Sequence, residues 1–118
     1  MSIQDELSAL NDAFADALER RDVNRLTDFF TDDAVIISRG TPTKVGRQEI
    51  HQLFQGRSGH TERISFESGE IMEDGDLVVD IGTRLTNGER TGRYVVVYRR
   101  QSDGNLRMAV DVPISGES

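Results

Sequence analysis

The chain has no cysteine, only two histidines and two prolines, and a single lysine, Lys44, among fourteen basic residues. Without thiols, disulfides, thiolate nucleophiles and thiolate metal sites are excluded. A Schiff-base lysine would have to be Lys44, which lies in the polar loop Gly40-Thr-Pro-Thr-Lys44 with nothing to lower its pKa. Positive charge is also in deficit: the formal net charge is −7. Nucleic acid and anionic membrane surfaces both call for a basic footprint, so neither is expected as a partner. No apolar run approaches the roughly 18 residues of a membrane span. Met1–Leu10 lacks the basic-then-apolar pattern of a secretion signal. A cytoplasmic protein is expected. The 118 residues fit one domain spanning residues 1–118, with no room for a second core.

What is present is a clear order of elements. Ser2 is placed to cap a helix with Asp5 and Glu6 in its first turn, where the helix dipole favours acids. Ile3, Leu7, Leu10, Phe14, Ala17 and Leu18 then recur at helical spacing to about Arg20. Asp22 can cap a short second helix through Val23, Leu26, Phe29 and Phe30. Thr31-Asp32-Asp33 reads as a turn, Ala34–Ser38 as a brief strand, and Arg47–Gln55 as a third helix ended by Gly56. Arg57–His60 reads as a loop, and Thr61–Met72 alternates loosely like a strand.

The most informative stretch runs from Asp76 to Val112. Asn87-Gly88 separates two β-rich runs, and both residues tolerate the positive φ of a type I′ hairpin turn. A two-residue turn there pairs Thr86 with Glu89. An unbroken ladder then pairs Ile81 with Tyr94, Val79 with Val96 and Leu77 with Tyr98. In that register Leu77, Val79, Ile81, Tyr94, Val96 and Tyr98 share the face on which helices pack. Val78, Asp80, Arg84, Arg93, Val95, Val97 and Arg99 share the other. Ser102-Asp103-Gly104-Asn105 makes a second turn. Pro113 lacks a ladder donor and is expected to end the last strand, leaving 114–118 as a frayed tail. The predicted fold class is α+β: a cone-shaped, strongly curved, four-stranded, mainly antiparallel sheet wrapped by three N-terminal helices.

Several local motifs carry a family likeness. They are Leu10-Asn-Asp-Ala-Phe14, Arg21-Asp22, Phe30-Thr-Asp-Asp-Ala-Val35, Val45-Gly46-Arg47-Gln-Glu-Ile50, Asp80-Ile-Gly82-Thr83, Gly92-Arg-Tyr94-Val-Val-Val-Tyr98 and Asp103-Gly104 followed by Asp111. With their order, they resemble the nuclear transport factor 2-like superfamily, more narrowly its SnoaL-like (polyketide-cyclase-like) and ketosteroid-isomerase-like branch. The resemblance implies a cystatin-like roll and points to a homodimer. The isomerase pattern has a catalytic aspartate where this chain has Ser38, an oxyanion-donating tyrosine where it has Phe14, and a second oxyanion acid within the apolar run Val95–Val97. Steroid isomerisation needs that base and those donors, so it is disfavoured.

The candidate site is a small apolar pocket lined by Phe14, Ile37, Phe54, Phe66, Tyr94 and Tyr98, with Arg39 at its mouth. Asp111 is the candidate catalytic residue. In an unbroken ladder it lies opposite Val96 beside the tyrosines, where apolar surroundings would raise its pKa for general-base work. A bulge at Gly104 would turn it outward as an ordinary surface aspartate. Tyr94 and Tyr98 offer hydroxyls to a ligand or simply fill the core. Arg39 holds a carboxylate or carbonyl through its planar fork, or is a solvated loop charge. His51 and His60 lack zinc-ligand spacing, so no metal is expected, nor any other cofactor. Asp80 and Arg93 form a cross-strand ion pair, or the rim of a homodimer surface carrying Val78, Asp80, Arg93, Val95 and Val97. The function expected is binding, with slow acid–base conversion open to it, of a small hydrophobic molecule of polyketide or aromatic type. The alternative is a non-catalytic dimerisation module whose pocket is filled by its own side chains.

Overall fold

The computed structural model describes residues 2–56 and 62–115. The expected Arg57–His60 loop and the tail residues 116–118 lie outside the described residues. The order is α1 (Ile3–Arg20), α2 (Val23–Asp28), β1 (Phe30–Ile36), β2 (Lys44–Val45), α3 (Gly46–Gln55), β3 (Ile64–Asp74), β4 (Leu77–Thr86), β5 (Glu89–Arg100) and β6 (Leu106–Ser115). The fold is α+β, and its sheet has six strands rather than four, in the order β2-β1-β6-β5-β4-β3. The sheet is mixed, because β1 runs parallel to β6 while the other neighbours are antiparallel.

Local chemistry explains the helices. The Ser2 side chain accepts from Asp5 N, and the Asp22 side chain accepts from Arg25 N, so each helix start gains an acceptor for an orphan donor. Between them Arg21 takes a left-handed conformation (φ 55°) and its N–H closes on Ala17 and Leu18 carbonyls. Val45 offers no side-chain cap to α3. Glu49 reaches back instead to accept from Val45 N at 2.8 Å.

Thr31-Asp32-Asp33 is not a turn but part of β1. The register against β6 jumps from Phe30↔Met108 to Val35↔Val110, so these residues bulge out of the ladder. Asp33 accepts from the Thr31 hydroxyl at 3.0 Å, a local bond of the kind that makes Asp and Thr look like turn formers in sequence. Pro113 does not end β6, and Ile114 and Ser115 still pair with Arg93 and Gly92. Asp111 C=O faces β1, where it accepts from Ile37 N at 2.9 Å, so by alternation the nitrogen of Pro113 faces the same side. The β1–β6 ladder has stopped by then, at Ile36↔Asp111, and the missing donor costs nothing.

The hairpin turn forms at Asn87 and Gly88, both at positive φ (52° and 85°), and pairs Thr86 with Glu89. One residue later the expected register fails. Leu85 pairs with Arg90 but Arg84 pairs with Gly92, so Thr91 is an extra residue in β5. The slip of one reverses the faces of β4 against β5. Tyr94, Val96 and Tyr98 face the helices, but opposite them stand Gly82, Asp80 and Val78, not Ile81, Val79 and Leu77. Val78 and Asp80 are therefore buried and cannot belong to an outer surface, nor does Asp80 pair with Arg93 there. Val79 and Ile81 take their places on the outer side with Val95 and Val97.

The core lies between that inner face and the helices. Phe14 of α1 is its hub, with ring centroids 5.3 Å from Phe29, 6.2 Å from Phe30, 6.2 Å from Phe54 and 5.7 Å from Phe66. All five phenylalanines of the chain meet in this cluster, mostly edge to face, the geometry aromatic quadrupoles favour. Leu7, Ala17, Leu26 and Ile50 complete it from the helices. Arg100 fastens α1 across the core, donating to both carboxylate oxygens of Glu6 at 3.0 and 3.1 Å. Among the described residues no helix is long and apolar enough to cross a membrane.

Candidate functional site

A cavity of about 290 Å³ opens between the helices and the inner face of the sheet. Phe14 and Phe54 wall it from the helices and Phe66 from β3. Tyr94 and Tyr98 wall it from β5, Asp111 from β6, and Arg39, exposed in the loop after β1, also lines it. Ile37 does not line it: its side chain is 45 % exposed, and Ile36, only 3 % exposed, takes that place. The bulge in β1 sets this parity, since it decides which of two adjacent isoleucines points inward. Sequence reasoning also missed Asn11, Ser38, Met108 and Arg84. Arg84 was misplaced only because the Thr91 bulge was not anticipated.

Asp111 reaches the wall through compensating irregularities. A further bulge, at Ala109, separates Tyr98↔Met108 from Val97↔Val110 and brings Asp111 opposite Val96. On its other side Asp111 is in register with Ile36. It is half-buried between these two apolar neighbours.

The two tyrosines differ. The Tyr94 hydroxyl donates to Asp80 Oδ2 at 2.8 Å, so its proton is engaged inside the protein. Asp80 is completely buried, and it also accepts from the Ser68 hydroxyl at 2.7 Å and from Gly69 N at 3.3 Å. Ser68 in turn accepts from Asn11 Nδ2 at 3.0 Å, which joins α1 to the network. A buried carboxylate survives only when surrounded by donors in this way. Gly82 makes the arrangement possible, because a Cβ there would occupy the space of the Tyr94 ring and hydroxyl. Burial, then the adjoining Asp80, pushes the Tyr94 hydroxyl well above its usual pKa.

Tyr98 makes no hydrogen bond among the described residues, yet no buried polar side-chain atom there lacks a partner. Its hydroxyl therefore borders open space in the cavity wall. Burial first, then the charges of Tyr94, Asp80 and Asp111, pushes its pKa well up, so it stays protonated and available as a donor. Among the described residues no three His, Asp or Glu side chains gather as a metal site. His51 contacts Asn24 Oδ1 at 3.1 Å, away from the cavity, and His60 lies outside the described residues.

The sequence matches the model of the SnoaL-like domain over residues 11–108. The chain belongs to the SnoaL-like domain family. No curated protein matches it. Among solved structures, this SnoaL-like domain is similar to a ketosteroid isomerase-like protein from Erwinia carotovora atroseptica, with TM-score 0.73 and 19% identity over 98% of this chain and 97% of that one. It is similar also to a protein of unknown function with a cystatin-like fold from Nostoc punctiforme, with TM-score 0.79 and 16% identity over 100% and 96% of the two chains. A third is a putative calcium/calmodulin dependent protein kinase II association domain from Xanthomonas campestris, with TM-score 0.71 and 21% identity over 96% and 88%. These likenesses show the fold of the SnoaL-like domain, a cystatin-like one. Fold alone does not choose between an enzyme and an association domain, so the choice rests on the site.

Proposed function

We propose that this domain binds a small, largely apolar molecule of polyketide or aromatic type in the cavity, and that Asp111 and Tyr98 act on it as base and proton donor without a cofactor. The observation that carries the reading is the cavity itself. Its volume of about 290 Å³ is close to the roughly 300 Å³ at which small-molecule sites begin. A module filled by its own side chains would leave no such space. The aromatic walls supply affinity, and the carboxylate and the uncommitted hydroxyl supply orientation and acid–base chemistry. The isomerase-like neighbour does not transfer its reaction. Ser38, at the base position of that pattern, is no base at neutral pH, and Phe14, at the position of the oxyanion-donating tyrosine, has no donor; both line the cavity.

A homodimer through the outer face of the sheet belongs to the same proposal. Val79, Ile81, Val95, Val97, Val110 and Val112 are only half-buried there, a continuous apolar surface that a second copy would cover.

The test is a thermal-shift screen with aromatic and polyketide-like compounds, followed by turnover assays on hits. Binding to the folded state raises Tm, and Asp111→Asn is expected to abolish turnover while hits still bind. A broad panel without any shift would remove this reading in favour of a non-catalytic association module.

A further inference from the structure

Arginines gather at one end of the cavity. The rows of the sheet place them: Arg84 pairs with Gly92 and Ser115 across β4, β5 and β6, and the next row joins Thr83, Arg93 and Ile114. Arg39 follows Ile36 by the same interval as Ile114 follows Asp111, so it reaches that end from the other side of β6. Arg39, Arg84 and Arg93 all line the cavity. Among the described residues neither Arg39 nor Arg84 makes a hydrogen bond or ion pair, and Arg93 makes only a long one to Gly82 O at 3.4 Å. In a chain of net charge −7, three arginines that find no carboxylate partner among the described residues form a local positive field at one opening. Arg84 is half-buried, where a charge gains most from an anionic partner. It also borders a second, smaller hollow whose wall includes Glu19 and Glu62, but it forms no ion pair with either. Asp111, the one acid of the main cavity wall among the described residues, lies three residues further in along β6 than Ile114, about 10 Å at strand spacing.

We propose that the ligand is an amphipathic acid, its apolar body among the phenylalanines and its carboxylate held at the mouth by Arg84 and Arg39. The proposal rests on the ligand-binding reading above and narrows it. The guanidinium fork matches a carboxylate in two parallel hydrogen bonds. The distance to Asp111 separates the anion-holding end from the base, so a ligand fixed by its acid presents its far end to Asp111 and Tyr98.

Calorimetric titration with naphthoate and with its uncharged amide, naphthamide, tests this on the whole chain. The acid is expected to bind about tenfold or more tightly than the amide at low salt, with the gap narrowing as salt is raised. In the double variant Arg39→Gln, Arg84→Gln the gap should vanish while amide affinity stays within about twofold, which a merely misfolded variant would not do. Equal binding of acid and amide to the wild type would overturn the arginine proposal and leave the cavity reading standing. A gap that persists in the double variant would also overturn it. Binding of neither compound would remove both.

Discussion

Tyr94→Phe removes one of the three donors that hold Asp80 and leaves the ring in place, so it isolates the buried network. A hydrogen bond to a charged group contributes about 1.5–3 kcal/mol net. Asp80 keeps Ser68 and Gly69 N, and the expected cost is therefore about 2 kcal/mol. For a chain of this length that lowers Tm by roughly 6–10 °C, or the urea midpoint by about 1 M. Asp80→Asn should cost at least as much. Oδ2 receives both the Tyr94 and Ser68 hydroxyls and Oδ1 receives Gly69 N, so an amide nitrogen on either side meets a donor. The assay is urea unfolding followed by circular dichroism, with an unchanged slope showing that only stability has moved. The opposite register gives a different answer: an Asp80 on the outer face would make both substitutions worth less than about 0.5 kcal/mol. That result, for the pair together, would refute the placement of the Thr91 bulge and everything derived from it.

Gly82→Ala should be destabilising by about 1–3 kcal/mol, because the new methyl group needs the space of the Tyr94 ring; differential scanning calorimetry measures it. At alkaline pH both tyrosines keep their protons in the fold, while in the unfolded chain they ionise near pH 10. The unfolded state then binds fewer protons, so stability is full below pH 10 and falls above it by about 1.4 kcal/mol per pH unit for each tyrosine. Since the chain has only these two tyrosines and no tryptophan, tyrosinate absorbance should appear only together with loss of circular dichroism. Val97→Lys puts a charge in the middle of the outer apolar face and should convert the proposed dimer to a folded monomer, read by light scattering.

The helices could be read from the sequence because their determinants are local: Ser2 and Asp22 cap within three residues, and the apolar period of α1 needs no partner to be seen. The hairpin turn was equally legible from Asn87-Gly88. What lay beyond reach was the single extra residue at Thr91, because a bulge is decided by what packs across the sheet. Here Gly82 yields space to Tyr94, and Asp80 finds donors on β3, a strand that precedes it by a different turn. Asp80 itself is the instructive case. An aspartate flanked by Val79 and Ile81 in an alternating strand reads as the solvent-facing partner of two core residues, and the opposite holds. For the site, the aromatic walls were legible as a hydrophobic pattern, whereas Arg84 needed the register to be known before it could be placed.

The position of β6 has a consequence for biosynthesis. This strand is the last of the six to be synthesised, yet it lies inside the sheet with β1 on one side and β5 on the other. Until it emerges, the hairpin of β4 and β5 offers a bare edge and β1 has only the two-residue β2 for company. Joining of β1 to the rest of the sheet therefore waits for synthesis to pass β6, whereas α1 can already pack on β3 through Phe14 and Phe66. Shielding of those edges in the interval falls to chaperones or to the tunnel itself.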